Sequence, residues 1–251
     1  AFGGAINGLV KDFLAPEAGI EVVDTIVYDV NTVDFAPIFN KAANSGADFM
    51  YSISSVKVQV ISSQYVKLQV PLAMTGVNVG AMGQEYWDDT GGAGGGISSL
   101  SPLPSVGFDL DDQSKAFVDT YKAKYGSERP VFPHFNGFNA YHGLKQAMAA
   151  AEKAGGFKPL DGWVKAMENE DVIIKKDGKM WLRYGFWKPG EIEPRTNRQY
   201  THNIKFDITA PFDDGAPSMV VIQWYEDGTN AVVYPPKFAT GEFQVPSWVK
   251  K

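Results

Sequence analysis

Three kinds of side chain in this sequence could act chemically on a small molecule: paired carboxylates, histidines and a glycine-rich run. The carboxylate pairs are Asp88–Asp89, Asp111–Asp112 and Asp213–Asp214. General acid–base work needs carboxyl groups that converge in one cleft with their pKa values driven apart. Neighbours along a helix or loop point apart into water, so these pairs read as helix-terminus and turn residues. The histidines are His134, His142 and His202; none pairs with another at helical spacing and no H-E-x-x-H occurs, so no zinc site is expected. His142 falls inside a helical stretch as a packed or partly exposed residue, whereas His134 lies in the loop before it, where it could face a ligand. The run GGAGGG (91–96) lacks G-x-G-x-x-G spacing and leads from a helix into a strand. It reads as a tight or flexible connection, not a dinucleotide cradle.

Other catalytic signatures are absent as well. There is no G-x-x-x-x-G-K-[ST] phosphate loop, no G-x-S-x-G elbow and no cysteine, which removes disulfides, thiolate catalysis and Cys-ligated metals. The late aromatic runs KMWLRYGFW (179–187) and QWYEDG (223–228) read as strand packing, with an aromatic binding surface as the alternative. The expectation is therefore a protein that is not an enzyme and needs no cofactor or metal. A net charge of −6 argues against a nucleic-acid or anionic-membrane surface, both of which need clustered Lys and Arg. No apolar run is long enough to span a bilayer, and no signal peptide is visible.

The elements that would position a site alternate. The 251 residues suffice for one large or two ordinary domains, and 44% apolar residues supply a core. Residues 3–14 place Ile6, Leu9, Val10, Phe13 and Leu14 at helical spacing, ended by Pro16 and Gly19. The β-branched run 20–30 predicts a strand. Asp34 is placed to cap a helix that buries Phe35, Ile38, Phe39 and Ala42 and stops at Gly46. Strands follow at 47–53, 70–76 and 95–100, with a helix at 55–68 (Val56, Val60, Ile61, Tyr65 and Leu68 inward) and a short one near 82–88. Helices are expected at 109–126, 135–156 (apolar stripe Ala140, Leu144, Ala147, Met148, Ala151) and 159–168. Strands are expected at 171–178, 179–187, 199–208, 218–228 and 230–236, with a hairpin at YEDG.

Such alternation means βαβ units: an α/β fold with a parallel sheet flanked by helices. In open sheets of this kind ligands bind outside the carboxyl ends of the strands. The segments there are SISS (52–55), TGVNVG (75–80) and SLSPLPS (99–105), all small, polar or glycine-rich. They read either as plain turns or as the loops that hold a small molecule.

In order and spacing, FGGAINGLVKDF, DTIVYDVNTVDFAPIFNKAANSGADFMYSI, PLAMTGVNVG, FVDTYKAKYG, FNAYHGLKQAMAAAEKAG and IQWYEDGTNAVVYPP resemble the type I periplasmic binding proteins, in particular the branched-chain amino-acid class of ABC-transporter solute receptors. The resemblance implies two α/β lobes that close on a small polar solute. It places residues 1–105 in the second lobe, 106–129 in a crossover helix, 130–205 in the C-terminal portion of the first lobe, and 206–251 in a hinge return, hairpin and tail. Phe2-Gly3 matches an aromatic-Gly pair that, in the family, follows the first strand of lobe two. The fold is thus expected to be incomplete in this chain, with on the order of a hundred residues of first lobe and one strand lying elsewhere.

By the same resemblance Phe2 packs on the ligand, Tyr51 and Ser52 follow the second strand, and Gly76, Val77 and Asn78 form a turn that often carries an acidic residue for a ligand ammonium. Asn78 is an uncharged departure from that pattern. His134 and Phe135 match a cleft-facing loop of lobe one. The implied role is an extracytoplasmic receptor, periplasmic or lipid-anchored, for an amino acid, amide or aromatic or organic acid. Its partners would be that solute and the membrane permease subunits of an ABC importer, with no nucleic acid. A ligand-sensing regulator of the same fold is the alternative, and an α/β hydrolase a more distant one.

Overall fold

The computed structural model describes residues 2–102, 107, 112–126, 133–170, 172–176, 179–193, 197–205 and 219–250. Helix α1 (Phe2–Leu9) runs through a π-helical turn (Val10–Leu14) into α2 (Ala15–Glu17). Then come α3 (Ala36–Ala43), β1 (Phe49–Ser54), α4 (Val58–Leu68), β2 (Ala73–Asn78), a 3₁₀ turn (Val79–Met82), α5 (Tyr86–Asp89) and β3 (Ile97–Pro102). They are followed by α6 (Asp112–Tyr125), α7 (Pro133–Ala154), α8 (Leu160–Glu168), β4 (Val172–Lys176), β5 (Lys179–Phe186), β6 (Ile192–Glu193), β7 (Arg198–Gln199) and β8 (Ile204–Lys205). Strands β9 (Met219–Trp224) and β10 (Asn230–Tyr234) close the order with a 3₁₀ turn at Pro236–Phe238. The chain divides into two compact units: Ala1–Phe108, Pro130–Phe132 and Met219–Lys251 make the first, and Asp109–Arg129 with Pro133–Ser218 the second.

The first unit is mixed α/β. Its sheet runs β1-β2-β3-β9-β10, with β1, β2 and β3 parallel and the last two strands added antiparallel. Strands and helices both supply the core, with Met74, Ile97, Val220 and Ile222 buried on the sheet. Phe35, just before α3, and Phe39 and Ala42 on it are buried, and the Asp34 carboxylate accepts from the Ala36 N–H as its position predicts. On α4 the buried face is Val58, Ile61, Ser62 and Tyr65, while Val56, Val60 and Leu68, expected inside, are exposed. Ile61 and Tyr65 are buried as expected; Lys57 takes a left-handed backbone conformation (φ 56°) and starts the helix at Val58, so Val56 lies outside it, Val60 falls about 100° off the buried face, and Leu68 is the last helical residue.

Two other expectations for this unit change. Residues 20–29 form no strand. Their β-branched composition favours an extended backbone, but a strand needs a partner's N–H and C=O groups, and none among the described residues pairs with them. Val27 is left 87% exposed, with Val23 and Val33 also in water. Helix α1 and its continuation extend past Pro16, which sits in the last helical turn, and Leu9, Phe13 and Leu14 are exposed instead of packed.

The glycine run is a tight connection. A Cβ on Gly94 would lie 2.7 Å from the Tyr86 ring, on Gly95 2.6 Å from the Glu226 backbone, and on Gly96 2.8 Å from Pro246. The chain's last stretch is strapped to the same edge. Gln223 donates to the Gln244 carbonyl (2.6 Å) and accepts from its N–H (2.8 Å), Glu226 takes both the N–H and the hydroxyl of Ser247, and the Trp248 indole donates to the Val70 carbonyl.

The second unit packs α7 against α8, where the Trp163 indole donates to the Ala147 carbonyl (3.1 Å). The buried face of α7 carries Gln146, Ala150 and Ala151; Leu144 and Met148, assigned to its apolar stripe from spacing, are exposed. Strands β4, β5 and β8 form one sheet and β6 and β7 a separate pair. The single strand expected at 199–208 is broken after Gln199, because Tyr200–Asn203 make a turn in which His202 takes φ +64° and bonds back to Trp187.

Candidate functional site

The parallel register brings five of the expected site residues together. Ser52 sits opposite Gly76, Ile53 opposite Val77 and Ser54 opposite Asn78, so Tyr51, Ser52, Gly76, Val77 and Asn78 share the carboxyl ends of β1 and β2. Gly76 is required there: at φ +131° a Cβ would lie 2.0 Å from the Ser52 carbonyl oxygen. Tyr51 is half-buried, and loss of solvent pushes its hydroxyl pKa up. Asn78 is only 1% exposed. Its backbone N–H donates to Ser99 Oγ on β3 (2.9 Å) and its Nδ2 lies 3.4 Å from the Ser98 carbonyl, while Oδ1 is buried with no hydrogen-bond partner.

Several groups that sequence reasoning did not single out shape these strand ends. Ser54 donates to the Val56 carbonyl (2.6 Å) and accepts from the Tyr28 hydroxyl (2.9 Å), which lays the 28–35 loop beside the end of β1. Lys57 Nζ donates to the Thr32 carbonyl (3.0 Å). Gln64 on α4 holds the same loop at two points, accepting from the Phe35 N–H and donating to the Val33 carbonyl, each at 2.7 Å. The only signal for these groups was that polar residues interrupt apolar patterns, which does not reveal partners so distant in sequence. Gln64→Leu would remove a part-buried bond to the Phe35 N–H and an exposed one to the Val33 carbonyl, so it is expected to lower stability by about 0.5–1.5 kcal/mol, read from the midpoint of urea denaturation.

The remaining expected residues are placed only in outline. Phe2 begins α1 in the first unit, and His134 and Phe135, expected in a loop, lie instead in the first turn of α7 in the second, since that helix already starts at Pro133; the side chains of all three lie outside the described residues. Among the described residues no group of three or more His, Asp or Glu side chains could hold a metal, and no helix is long and apolar enough to cross a membrane. Chemically, the strand ends offer hydroxyls, an amide and backbone groups. That set can orient a small molecule by hydrogen bonds, and it contains no nucleophile beside a base.

Known proteins resemble this chain in sequence and in fold. A family model described as periplasmic binding protein matches residues 1–187. The Leu/Ile/Val-binding protein homolog 8 of Brucella abortus is 27% identical over 266 residues, spanning 97% of this chain and 54% of that protein. The chain thus spans about half the length of the curated relatives it matches. An ABC transporter substrate-binding protein of Aeropyrum pernix superposes with a TM-score of 0.62 at 15% identity, covering 99% of this chain and 58% of that one. A type 1 periplasmic binding protein of Bordetella pertussis gives 0.59 at 17% identity, covering 90% and 56%. These likenesses show the type I periplasmic-binding fold, whose α/β organisation the segment order led us to expect. With the family match running unbroken from α1 through β5, the chain belongs to the periplasmic binding protein family.

Proposed function

We propose that this chain is part of an extracytoplasmic solute receptor that serves an ABC importer. Its family is one of binding proteins, and the observation that carries the reading is the set of polar, close-packed strand ends at Tyr51–Ser54 and Gly76–Asn78. Open parallel sheets receive ligands at that edge. The receptor binds without chemistry: the site desolvates and orients the solute, and binding shifts an open form toward a closed one by differential contacts. The closed form is what the membrane permease subunits recognise. Phe2, Tyr51, Ser52, Gly76, Val77, Asn78, His134 and Phe135 are the proposed contacts, and the proposed location is periplasmic or otherwise extracytoplasmic, with or without a lipid anchor.

Native mass spectrometry of the purified full-length protein tests the reading, with a small non-covalent adduct as the expected result. Supplying that solute at a hundredfold excess over its Kd should stabilise the fold by about 2.7 kcal/mol, seen as a rise in Tm. A protein with no adduct, and no rise in Tm with any member of a broad metabolite panel, would sink the proposal.

A further inference from the structure

Residues 242–246 form neither helix nor strand, yet the tail they belong to is held at defined points. It crosses the amino ends of β2 and β3, the opposite end of the sheet from Tyr51–Ser54 and Gly76–Asn78. Gln223, on β9 and only 1% exposed, spends both atoms of its amide on one tail residue: it donates to the Gln244 carbonyl at 2.6 Å and accepts from the Gln244 N–H at 2.8 Å. A neighbouring strand would offer the same pair of bonds, so Gln223 reads backbone, whatever the side chain. Glu226 reads a side chain as well. One carboxylate oxygen accepts from the Ser247 N–H at 2.6 Å and the other from its hydroxyl at 2.8 Å. Pro246 rests on Gly96, where a Cβ would lie 2.8 Å from the proline ring. Trp248 gives its indole N–H to the Val70 carbonyl at 3.1 Å and stands edge-on to Tyr65 with ring centres 5.6 Å apart.

We propose that this groove is a recognition site for a peptide carrying Pro-Ser-Trp, which the chain fills with its own tail, and that the tail is a latch that opens and recloses while the sheet stays folded. Phe243 and Val245 are exposed, and Pro246 is the only buried residue between 242 and 250. Lifting the tail therefore uncovers little apolar surface. It also leaves the pairing of β1, β2, β3, β9 and β10 intact, so opening needs less free energy than unfolding the sheet. The anchors left behind are complete without the tail: an amide, a carboxylate, a backbone carbonyl and an aromatic ring, all placed by the sheet, its hairpin and α4.

Hydrogen exchange of the full-length protein tests the latch. The Gln244 and Ser247 N–H groups are expected to exchange at least about a hundredfold faster than those that pair β3 with β9. Equal rates for the two sets would mean that the tail leaves only when the sheet unfolds, and would overturn the latch. Recognition is tested with a fluorescein-labelled peptide of residues 240–250, followed by anisotropy. The peptide is expected to bind full-length protein carrying Ser247→Ala and Trp248→Ala at least about tenfold more tightly than the parent, whose own tail competes at high effective concentration. Adding Glu226→Ala to that double variant is expected to weaken the peptide about tenfold, through loss of both bonds to its serine. A double variant that keeps its circular dichroism but ignores the peptide, or binds it equally well with Glu226→Ala, would overturn the recognition site. A double variant that loses the sheet would overturn the latch, since the tail would then be part of the core.

Discussion

Replacing Gly76 with alanine is expected to destabilise the chain by on the order of 4 kcal/mol or more, placing it among the most damaging single substitutions available. Two effects combine. A backbone at φ +131° lies where a side chain is rarely tolerated, and the added Cβ would stand 2.0 Å from the Ser52 carbonyl oxygen, 2.8 Å from its nitrogen and 2.9 Å from its carbonyl carbon. All three are backbone atoms of the paired strand, so no side chain can swing aside. Relief requires β1 and β2 to part at the rung that carries the proposed site. Urea denaturation followed by far-ultraviolet circular dichroism measures the loss. Two other glycines separate the causes. Gly91 has φ +62° with nothing within 4 Å, so Gly91→Ala meets only the conformational term and should cost about 1 kcal/mol. Gly4 is helical with nothing within 4 Å, so Gly4→Ala should stabilise by about 0.5–1 kcal/mol. If Gly76→Ala behaved like Gly91→Ala, the close approach of the two strands would be wrong.

How far the sequence reveals this architecture depends on the range of the interactions. The helices and strands from Ala36 to Pro102 were legible because apolar spacing and caps act within a few residues: Asp34 reaches only to Ala36, and Gly46 takes φ +82° after the helix it follows. The hairpin at YEDG was legible for the same reason, with Gly228 at φ +87° joining β9 to β10. Residues 20–29 were misread because strand formation is a statement about a partner. Composition records only the willingness to be extended. On α4 the burial of Ile61 and Tyr65 was legible, but Val56 was misplaced because a lysine in the left-handed region, for which it has no preference, starts that helix at Val58. At the candidate site, the polar segments could be named, but the expected turn at Gly76–Asn78 lies within β2 and Tyr51 and Ser52 within β1, and the opposition of Ser52 and Gly76 could not be read, since register joins residues 24 positions apart in a way no local pattern encodes. The tail strap built on Gln223 and Glu226 was invisible for the same reason, as its bonds span 21 residues.

Trp224 is the second position of large effect. It lies on β9, yet its indole N–H donates to the Ala81 carbonyl at 2.8 Å, closing the 3₁₀ turn that follows Asn78. Its ring stands 5.3 Å from Tyr86 and stacks on Trp87 at 6.4 Å, and the residue is almost wholly buried. Trp224→Ala removes the ring and leaves a cavity between β9 and α5, so a loss of about 3–5 kcal/mol is expected. Trp224→Phe keeps most of the packing but strands the Ala81 carbonyl, for about 1–3 kcal/mol. Circular dichroism serves as the readout, because the substitution itself alters tryptophan emission. The two variants also part the roles of packing and positioning. If the indole bond fixes the turn beside Asn78, Trp224→Phe should weaken solute binding more than its modest stability loss accounts for, since a misplaced turn changes the site even in the folded fraction. A Trp224→Phe protein that binds its solute as tightly as the parent would show that the hydrogen bond to Ala81 serves the fold alone.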